Sequence, residues 1–196
     1  MRRRALLSSV ASLSLVTTAG CLADTRRTAS GRITGAHGSA VLHPVDEQYV
    51  HGSFPDDADL RGWVFPNPPD DQRDVFTERA MQGRYSNDLL WADGDSFVLL
   101  FEVLMSPDNA AFYNVGLSPE WTGWNTAEIP IRRSPADLDR YEDADELVCT
   151  SLHKFEVRRG GAPERVTLVV HDDEMDATLG RYTLGEWTPQ RSAASE

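Results

Sequence analysis

Acidic side chains crowd one segment near the end of the chain, directly after a strand-like run. Asp172, Glu174 and Asp176 stand at alternate positions in this segment. Carboxylate oxygens at that spacing could converge on a hard cation such as Ca²⁺, which binds several oxygens at about 2.3–2.6 Å. The segment lacks the glycine and the final glutamate of an EF-hand loop. These three residues are therefore a candidate metal site, with a solvated acidic turn as the alternative.

Two tryptophans three positions apart form a second candidate site. Trp121 and Trp124, followed by Asn125, lie in a connection between strand-like segments. Aromatic side chains anchor many interfaces, so the patch could form a flat apolar platform for a sugar ring or a protein partner. Each ring can also bury about 150–250 Å², which would make an effective lid over an open sandwich end. Both interpretations remain open from the sequence.

The cysteines and histidines do not form a recognisable catalytic pattern. Cys149 lies in a strand-like run and is expected to be a small buried residue. His37-Gly38-Ser39 recurs as His51-Gly52-Ser53, and we expect both copies in glycine-rich turns. The chain contains no P-loop, no dinucleotide-binding glycine pattern, no GxSxG elbow and no HExxH motif. The sequence therefore predicts no catalytic residue and no cofactor.

The first residues of the chain have the order of an export signal. Three arginines are followed by a short apolar run, Ala5–Val16, and then by small residues directly before Cys21. The apolar run is too short to cross a hydrocarbon core of about 30 Å, which needs about 20 residues. Residues 1–20 are therefore interpreted as a signal peptide.

Details of this segment resemble two known signals. Arg3 and Arg4, a free position, and then Leu6 and Leu7 resemble the core of a twin-arginine signal. The small residues before Cys21 resemble the end of a lipobox, in which a lipid joins the cysteine sulfur and cleavage frees its amino group.

The large aliphatic residue usual three positions before the lipobox cysteine is Thr18 here, so an ordinary secretory signal is the alternative. With its acidic composition, the chain resembles an exported lipoprotein of a salt-loving archaeon. The resemblance implies a membrane partner through a lipid on Cys21, and a location on the outer face of the cytoplasmic membrane.

The overall charge is strongly negative. There are 31 acidic and 19 basic residues, a formal net charge of −12, and Lys154 is the only lysine. High negative charge keeps a protein soluble when salt screens repulsion. It also argues against nucleic acid as a partner, because binding phosphates requires a basic surface. We interpret the surface as halophilic.

Strand signals begin near Ala40, after a polar stretch over residues 21–39 that reads as a flexible tether. Ala40–His43, Gln48–Phe54 and Leu60–Phe65 are predicted short strands, bounded by proline- and aspartate-rich turns. Over Asp70–Gly83 the acidic start after a proline favours a short helix, with a strand as the alternative.

The second half of the chain is predicted to be β-structure. Ser96–Met105 is apolar at nearly every position and fits a central strand buried on both faces, with Ala111–Leu117 as its hairpin partner. Glu128–Arg132 is a short strand that Pro130 confines to an edge or a bulge. Ser134 precedes a proline and predicts a short helix that ends near Tyr141.

A second hairpin is predicted from Leu147–Val157 and Arg165–His171, and Arg181–Leu184 is the last predicted strand. Short strands with regular turns predict a mainly β protein: a single immunoglobulin-like β-sandwich over residues 40–188 with one or two short helices, and a polar tail over residues 189–196.

The predicted function is a lipid-anchored cell-surface domain that binds a protein or a glycan, because catalytic motifs are lacking. The alternative is a small extracytoplasmic hydrolase or metal-dependent enzyme that uses carboxylates and histidines.

Overall fold

Most of the described chain consists of β-strands. The computed structural model describes residues 20–29, 31–83, 91, 95–116, 118–136, 141, 144–158, 161–172 and 177–188. Two α-helices lie in these stretches: α1 over residues 20–29 and α2 over Glu78–Met81. The strands are β1 Ile33–Pro44, β2 Leu60–Phe65, β3 Ser96–Met105, β4 Ala111–Val115, β5 Glu120–Trp121, β6 Thr126–Pro135, β7 Leu147–Val157, β8 Arg165–Asp172 and β9 Ala177–Gly185.

The strands form two sheets that pack face to face. Sheet one has the order β1-β7-β3-β2, and sheet two has the order β4-β6-β8-β9, with β5 paired to β6. This arrangement confirms the predicted mainly β sandwich. Immunoglobulin constant domains order their strands ABED and CFG. The protein therefore shares the two-sheet architecture of immunoglobulin domains but not their strand order. One neighbouring pair, β6 and β8, is parallel.

Strand β3 lies at the centre of sheet one and is buried on both faces, as its apolar run predicts. Alternate side chains such as Phe97, Leu99 and Phe101 point into the core between the sheets. Val98 and Leu100 point the other way, into a second cluster on the outer face of sheet one. A strand that is covered on both faces has no polar side to solvate, which is why its sequence does not alternate.

The outer face of sheet one is covered by the connections around α2. Val75 and Phe76 pack there with Trp91, and Trp63 and Trp187 contact the same cluster. Trp91 is buried in this cluster, whereas Trp63 and Trp187 are half-buried against it. Thr77 caps α2, because its side chain accepts a hydrogen bond from the Ala80 backbone. The Asp70–Gly83 stretch thus contains the predicted short helix, preceded by a 3-10 turn over Gln72–Asp74.

Strand partners differ from the prediction in two places. The predicted partner of Ser96–Met105 is β4, but β4 pairs with β6 in sheet two. Strands β7 and β8 do not form a hairpin either, since β7 lies between β1 and β3 while β8 lies between β6 and β9. The two members of each predicted pair lie in different sheets instead of side by side. Alternating apolar residues identify a strand with a buried face, but they do not specify its neighbour.

Pro130 lies within β6, an interior strand, where the sequence predicted an edge strand or a bulge. Its carbonyl accepts a hydrogen bond from the Gly116 backbone nitrogen, one residue beyond the end of β4. In a β-strand, the carbonyl and the N–H of one residue point to the same side, and Pro130 has no N–H. On that side of Pro130, β6 changes partner from β4 to β5. The proline is tolerated because no carbonyl of β4 or β5 is paired opposite it.

Regular secondary structure begins earlier than residue 40. Strand β1 begins at Ile33 and pairs along its length with β7. Residues 20–29 are helical, so the stretch predicted to be a flexible tether contains α1 and the first part of β1. Polar helices without apolar periodicity give no clear sequence signal.

Three smaller predictions are also wrong. Gln48–Phe54 is not a strand, and only Val50 makes an isolated bridge, to Phe76. Ser134 and Pro135 end β6 instead of starting a helix, and residues 137–140 lie outside the described chain. Gly38 lies within β1 and not in a turn. A Cβ there would lie 2.2 Å from the Leu152 carbonyl oxygen, so the position requires glycine.

Candidate functional site

Trp121 and Trp124 lie at one end of the sandwich, where α1 packs against them. Arg26 of α1 places its guanidinium carbon 4.4 Å from the Trp121 ring centroid and 5.4 Å from that of Trp124. Its Nη2 donates a 2.6 Å hydrogen bond to the Gly161 carbonyl, and the residue is only 7% exposed. The predicted aromatic platform therefore holds a cation from the protein's own chain. We call this end, formed by α1 and the loop over residues 121–125, the α1 pole.

The three residues of the predicted platform have different environments. Trp121 is buried and its Nε1 donates a 3.3 Å hydrogen bond to the Gly31 carbonyl, as expected for a lid over the core. Trp124 keeps 46% of its surface exposed. Asn125 uses its amide to donate a 2.7 Å hydrogen bond to Glu164 Oε1, which fastens the loop to the start of β8. Trp124 is therefore the platform residue with a large accessible surface.

Cys21, the predicted lipid attachment residue, lies in the first turn of the described part of α1. Its side chain is exposed and forms no disulfide. The predicted export signal residues Arg3, Arg4, Leu6 and Leu7 lie outside the described residues. Among the helices that the structure describes, none has the length and apolar character needed to cross a membrane.

Asp172, the described member of the predicted metal site, lies at the end of β8 in an ion pair. Its Oδ2 is 3.0 Å from Arg133 Nη1, and its side chain is 4% exposed. The predicted partners Glu174 and Asp176 fall outside the described chain. Over the residues described, no three His, Cys, Asp or Glu side chains come together in a way that could hold a metal ion. The Asp172 carboxylate neutralises a cationic side chain here.

Arg133 and Asp172 extend the inward-facing rows of two neighbouring strands. On β6 the inward positions run through Ala127, Ile129 and Ile131 to Arg133, and on β8 they end at Asp172. The two strands pair in parallel and place Arg133 directly opposite Asp172. The sequence signal for this ion pair was a charged residue of opposite sign at the end of each apolar row, Arg133 on β6 and Asp172 on β8. The sequence analysis did not recognise this signal.

A cleft of about 490 Å³ opens above this ion pair, at the end of the sandwich opposite α1. Its apolar wall includes Val103, Met105 and Val170, from strands of both sheets. Leu179 and Tyr182 of β9 also line it, and they are 45% and 37% exposed. We call this end of the molecule the cleft pole. Pockets of this size with an apolar lining and a few fixed polar groups are typical ligand sites.

The polar groups of the cleft are held in place by one another. Arg133 Nη2 donates a 3.2 Å hydrogen bond to the Asn109 carbonyl, in addition to its ion pair with Asp172. Burial raises the pKa of the Tyr113 hydroxyl, an effect that the nearby Arg133 opposes. Tyr113 is therefore a neutral hydroxyl that can donate or accept a hydrogen bond at physiological pH.

The charge balance of the cleft is negative. Three carboxylates line it, from Asp59, Glu146 and Asp172, against the single guanidinium of Arg133 among the described lining residues. An excess of carboxylates repels an anionic ligand and favours an uncharged or cationic one. The described lining contains no histidine. Among the described residues, the lining therefore does not combine a histidine with its carboxylates.

Cys149 is a buried residue of the core, as the sequence predicts. It is fully buried, and its Sγ lies 3.8 Å from Ser151 Oγ. Burial raises the pKa of the Cys149 thiol to about 11. Because the thiolate is the reactive form, this thiol is not a nucleophile at neutral pH.

A buried polar network crosses the outer face of sheet one. Arg61 Nε donates a 2.7 Å hydrogen bond to Glu102 Oε2, and Thr150 Oγ1 donates one of the same length to Glu102 Oε1. His43 Nε2 lies 2.9 Å from Thr150 Oγ1. A catalytic triad requires the imidazole between the hydroxyl and the carboxylate. Here the hydroxyl lies between them, so the network is structural.

Known proteins add no identification. No protein-family model, no curated protein and no solved structure matches the chain. The function therefore has to be argued from the α1 pole, the cleft pole and the chemistry of the side chains that form them.

Proposed function

We propose that this protein is a lipid-anchored cell-surface binding domain that holds its ligand in the cleft at the pole opposite Cys21. The observation that carries the proposal is the position of the two sites on the sandwich. Strand β8 runs from Arg165, beside the Asn125 loop, to Asp172 in the cleft. Eight residues of extended chain cover about 23 Å, so a domain anchored at α1 presents its cleft away from the membrane.

The lining of the cleft favours an amphipathic ligand that is uncharged or cationic. Val103, Met105 and Leu179 offer an apolar surface, and Tyr113 offers a neutral hydroxyl. Tyr182 at the rim could stack on a sugar ring. A cell-surface glycan or the side chains of a protein loop would satisfy these groups, whereas a polyanion would meet three carboxylates.

The anchor can be tested by lipid labelling and membrane fractionation of cells that produce the wild type or Cys21→Ser. The wild type is expected to carry the lipid label and to sediment with membranes, and the variant is expected to lose both. Cys149→Ser is the matched control, because Cys149 is buried. A Cys21→Ser protein that remains labelled and membrane-bound would exclude the anchor.

The cleft can be tested by NMR chemical-shift mapping of the full chain carrying Cys21→Ser, with small probes of different charge. N-acetylglucosamine and hexylammonium are expected to shift the amide signals of Tyr113, Arg133 and Leu179, and hexanoate is not. Tyr182→Ser at the cleft should weaken binding, while Thr77→Ser, near α2, should not. Stronger shifts with hexanoate, or shifts confined to another surface, would contradict the proposed ligand class.

A further inference from the structure

We propose that the α1 pole lies directly against the lipid bilayer, with Leu22 and Trp124 inserted into the interface between headgroups and acyl chains. The inference rests on the proposed lipid attachment at Cys21 and extends it to the orientation of the whole domain. The first argument is the short connection between the anchor and the domain. Cys21 precedes Arg26 by five residues on α1, which is about 7.5 Å along the helix axis.

The helix has little freedom relative to the sandwich. Arg26 is held by two tryptophan rings and by the Gly161 carbonyl. Just beyond the helix, the Gly31 carbonyl accepts a hydrogen bond from Trp121. Because both positions are attached to the domain, a lipid on Cys21 brings the α1 pole to the membrane surface.

The exposed apolar side chains at this pole suit an interface. Leu22 is 50% exposed and lies one helical turn before Arg26, on the same face of α1. Arg26 also contacts the Trp124 ring, so Leu22 and Trp124 project from neighbouring positions. Tryptophan is enriched at the level of lipid headgroups because its ring is apolar and its N–H is polar. The other large exposed apolar side chains of the described chain, Leu179 and Tyr182, belong to the cleft pole.

The charge of the cleft pole favours the same orientation. The α1 pole carries Arg32, Arg158 and Arg165 together with Asp24, Glu120 and Glu164, so its charges nearly balance. The cleft pole carries Asp59 and Glu146 beside the Arg133–Asp172 ion pair. An anionic membrane surface attracts arginine and repels carboxylates within a Debye length. The acidic cleft pole is therefore directed outward.

The test attaches a lipid chemically and measures tryptophan depth. A maleimide phospholipid is coupled to Cys21 of the full chain, since Cys149 is buried and unreactive. The conjugate is bound to phosphatidylcholine vesicles whose acyl chains are brominated near the headgroup, because bromine quenches indole fluorescence at short range. Quenching is expected in the wild type and should fall by more than half in Trp124→Phe. The matched control Trp63→Phe, on the outer face of sheet one, should retain it.

Two outcomes would overturn the inference. The first is vesicle-bound conjugate without quenching, and the second is quenching that Trp124→Phe leaves unchanged. Leu22→Asp provides a second measurement that leaves every tryptophan in place, and it is expected to reduce quenching at least twofold. Since the lipid is supplied chemically, these results do not depend on whether cells lipidate Cys21. The fractionation experiment on Cys21→Ser tests that question separately.

Discussion

The guanidinium carbon of Arg26 lies 4.4 Å from the centre of the Trp121 ring and joins the first described helix to a loop in the second half of the chain. Arg26→Ala is expected to release α1 and to lower the free energy of unfolding by about 2 kcal/mol, since a desolvated cation–π contact and a hydrogen bond are lost. Urea unfolding and limited proteolysis measure the two effects.

Arg27→Ala is the matched control for Arg26. Among the described residues, Arg27 pairs with Asp24 on the same helix, at 2.5 Å, and both side chains are largely exposed. Its removal is expected to change the stability by a few tenths of a kcal/mol. Equal effects of the two substitutions would show that Arg26 does not fasten the helix.

His153 is expected to make the protein less stable in acid. Its ring lies parallel to Phe101 inside the sandwich, and burial lowers its pKa from 6.5 to about 4. The unfolded chain therefore binds a proton below pH 6.5 that the folded chain binds only near pH 4. The stabilisation is complete above pH 6.5 and is lost as the pH falls, by about 2 kcal/mol between pH 7.5 and pH 5.

His153→Leu should flatten this dependence when the free energy of unfolding is measured at both pH values. Part of the slope is expected to remain, because burial also lowers the pKa of His43. His37→Gln, at an exposed position of β1, is the control and should keep the full slope. An unchanged slope in His153→Leu would contradict the prediction.

The buried Arg61–Glu102 pair is expected to be sensitive to the loss of either partner. Their side chains are 7% and 1% exposed, and Arg61 Nη2 is 2.5 Å from Glu102 Oε2. Glu102→Gln should cost about 3–5 kcal/mol, since it leaves a buried guanidinium without its counter-charge. Replacing both, with Arg61→Met and Glu102→Leu, should cost less than the single change.

Chemical denaturation measures these differences, and the exposed pair Arg79–Glu47 provides the comparison. Arg79→Ala is expected to change stability by less than about 1 kcal/mol. If the double replacement is the least stable protein of the series, the pair contributes net stabilisation and the prediction fails.

The two thiols are expected to differ sharply in reactivity. Cys21 is exposed, whereas burial raises the pKa of Cys149 to about 11. A thiol reagent such as Ellman's should modify one thiol rapidly in the folded protein and the second only in urea. Cys21→Ser should remove the rapid phase. Two rapid phases in the folded wild type would show that Cys149 is accessible.

Strand positions could be predicted where burial alone determines the residue pattern. Leu60–Phe65 and Ser96–Met105 have the predicted bounds, because apolar runs enclosed by turn residues leave little choice. The partners of β4 and β8 could not be predicted, since side-chain alternation shows that one face is buried but not which strand lies alongside. Helix α1 was missed because one contact, Arg26 on the tryptophans, stabilises it rather than an apolar stripe.

The cleft could not be predicted for a related reason. Tyr113, Arg133 and Tyr182 come from three different strands and meet only after the sheets pack. Asp172 was predicted as a metal ligand, whereas the parallel pairing of β6 and β8 places Arg133 opposite it and makes it the partner of that cation. The sequence contains these residues, whereas the register that brings them together is a property of the fold.

Strand β7 joins β1, the first strand of the chain, to the central strand β3, because Ile33 pairs with Val157 and Ser96 pairs with Glu156. During synthesis β1 therefore remains unpaired until β7 has been made, when most of the polypeptide has left the ribosome. Contacts between such distant positions slow folding, because closing a long loop lowers the conformational entropy of the chain before the contacts contribute any stabilisation. A chain truncated before Leu147 would leave β1 unpaired and one edge of β3 open, a state prone to self-association.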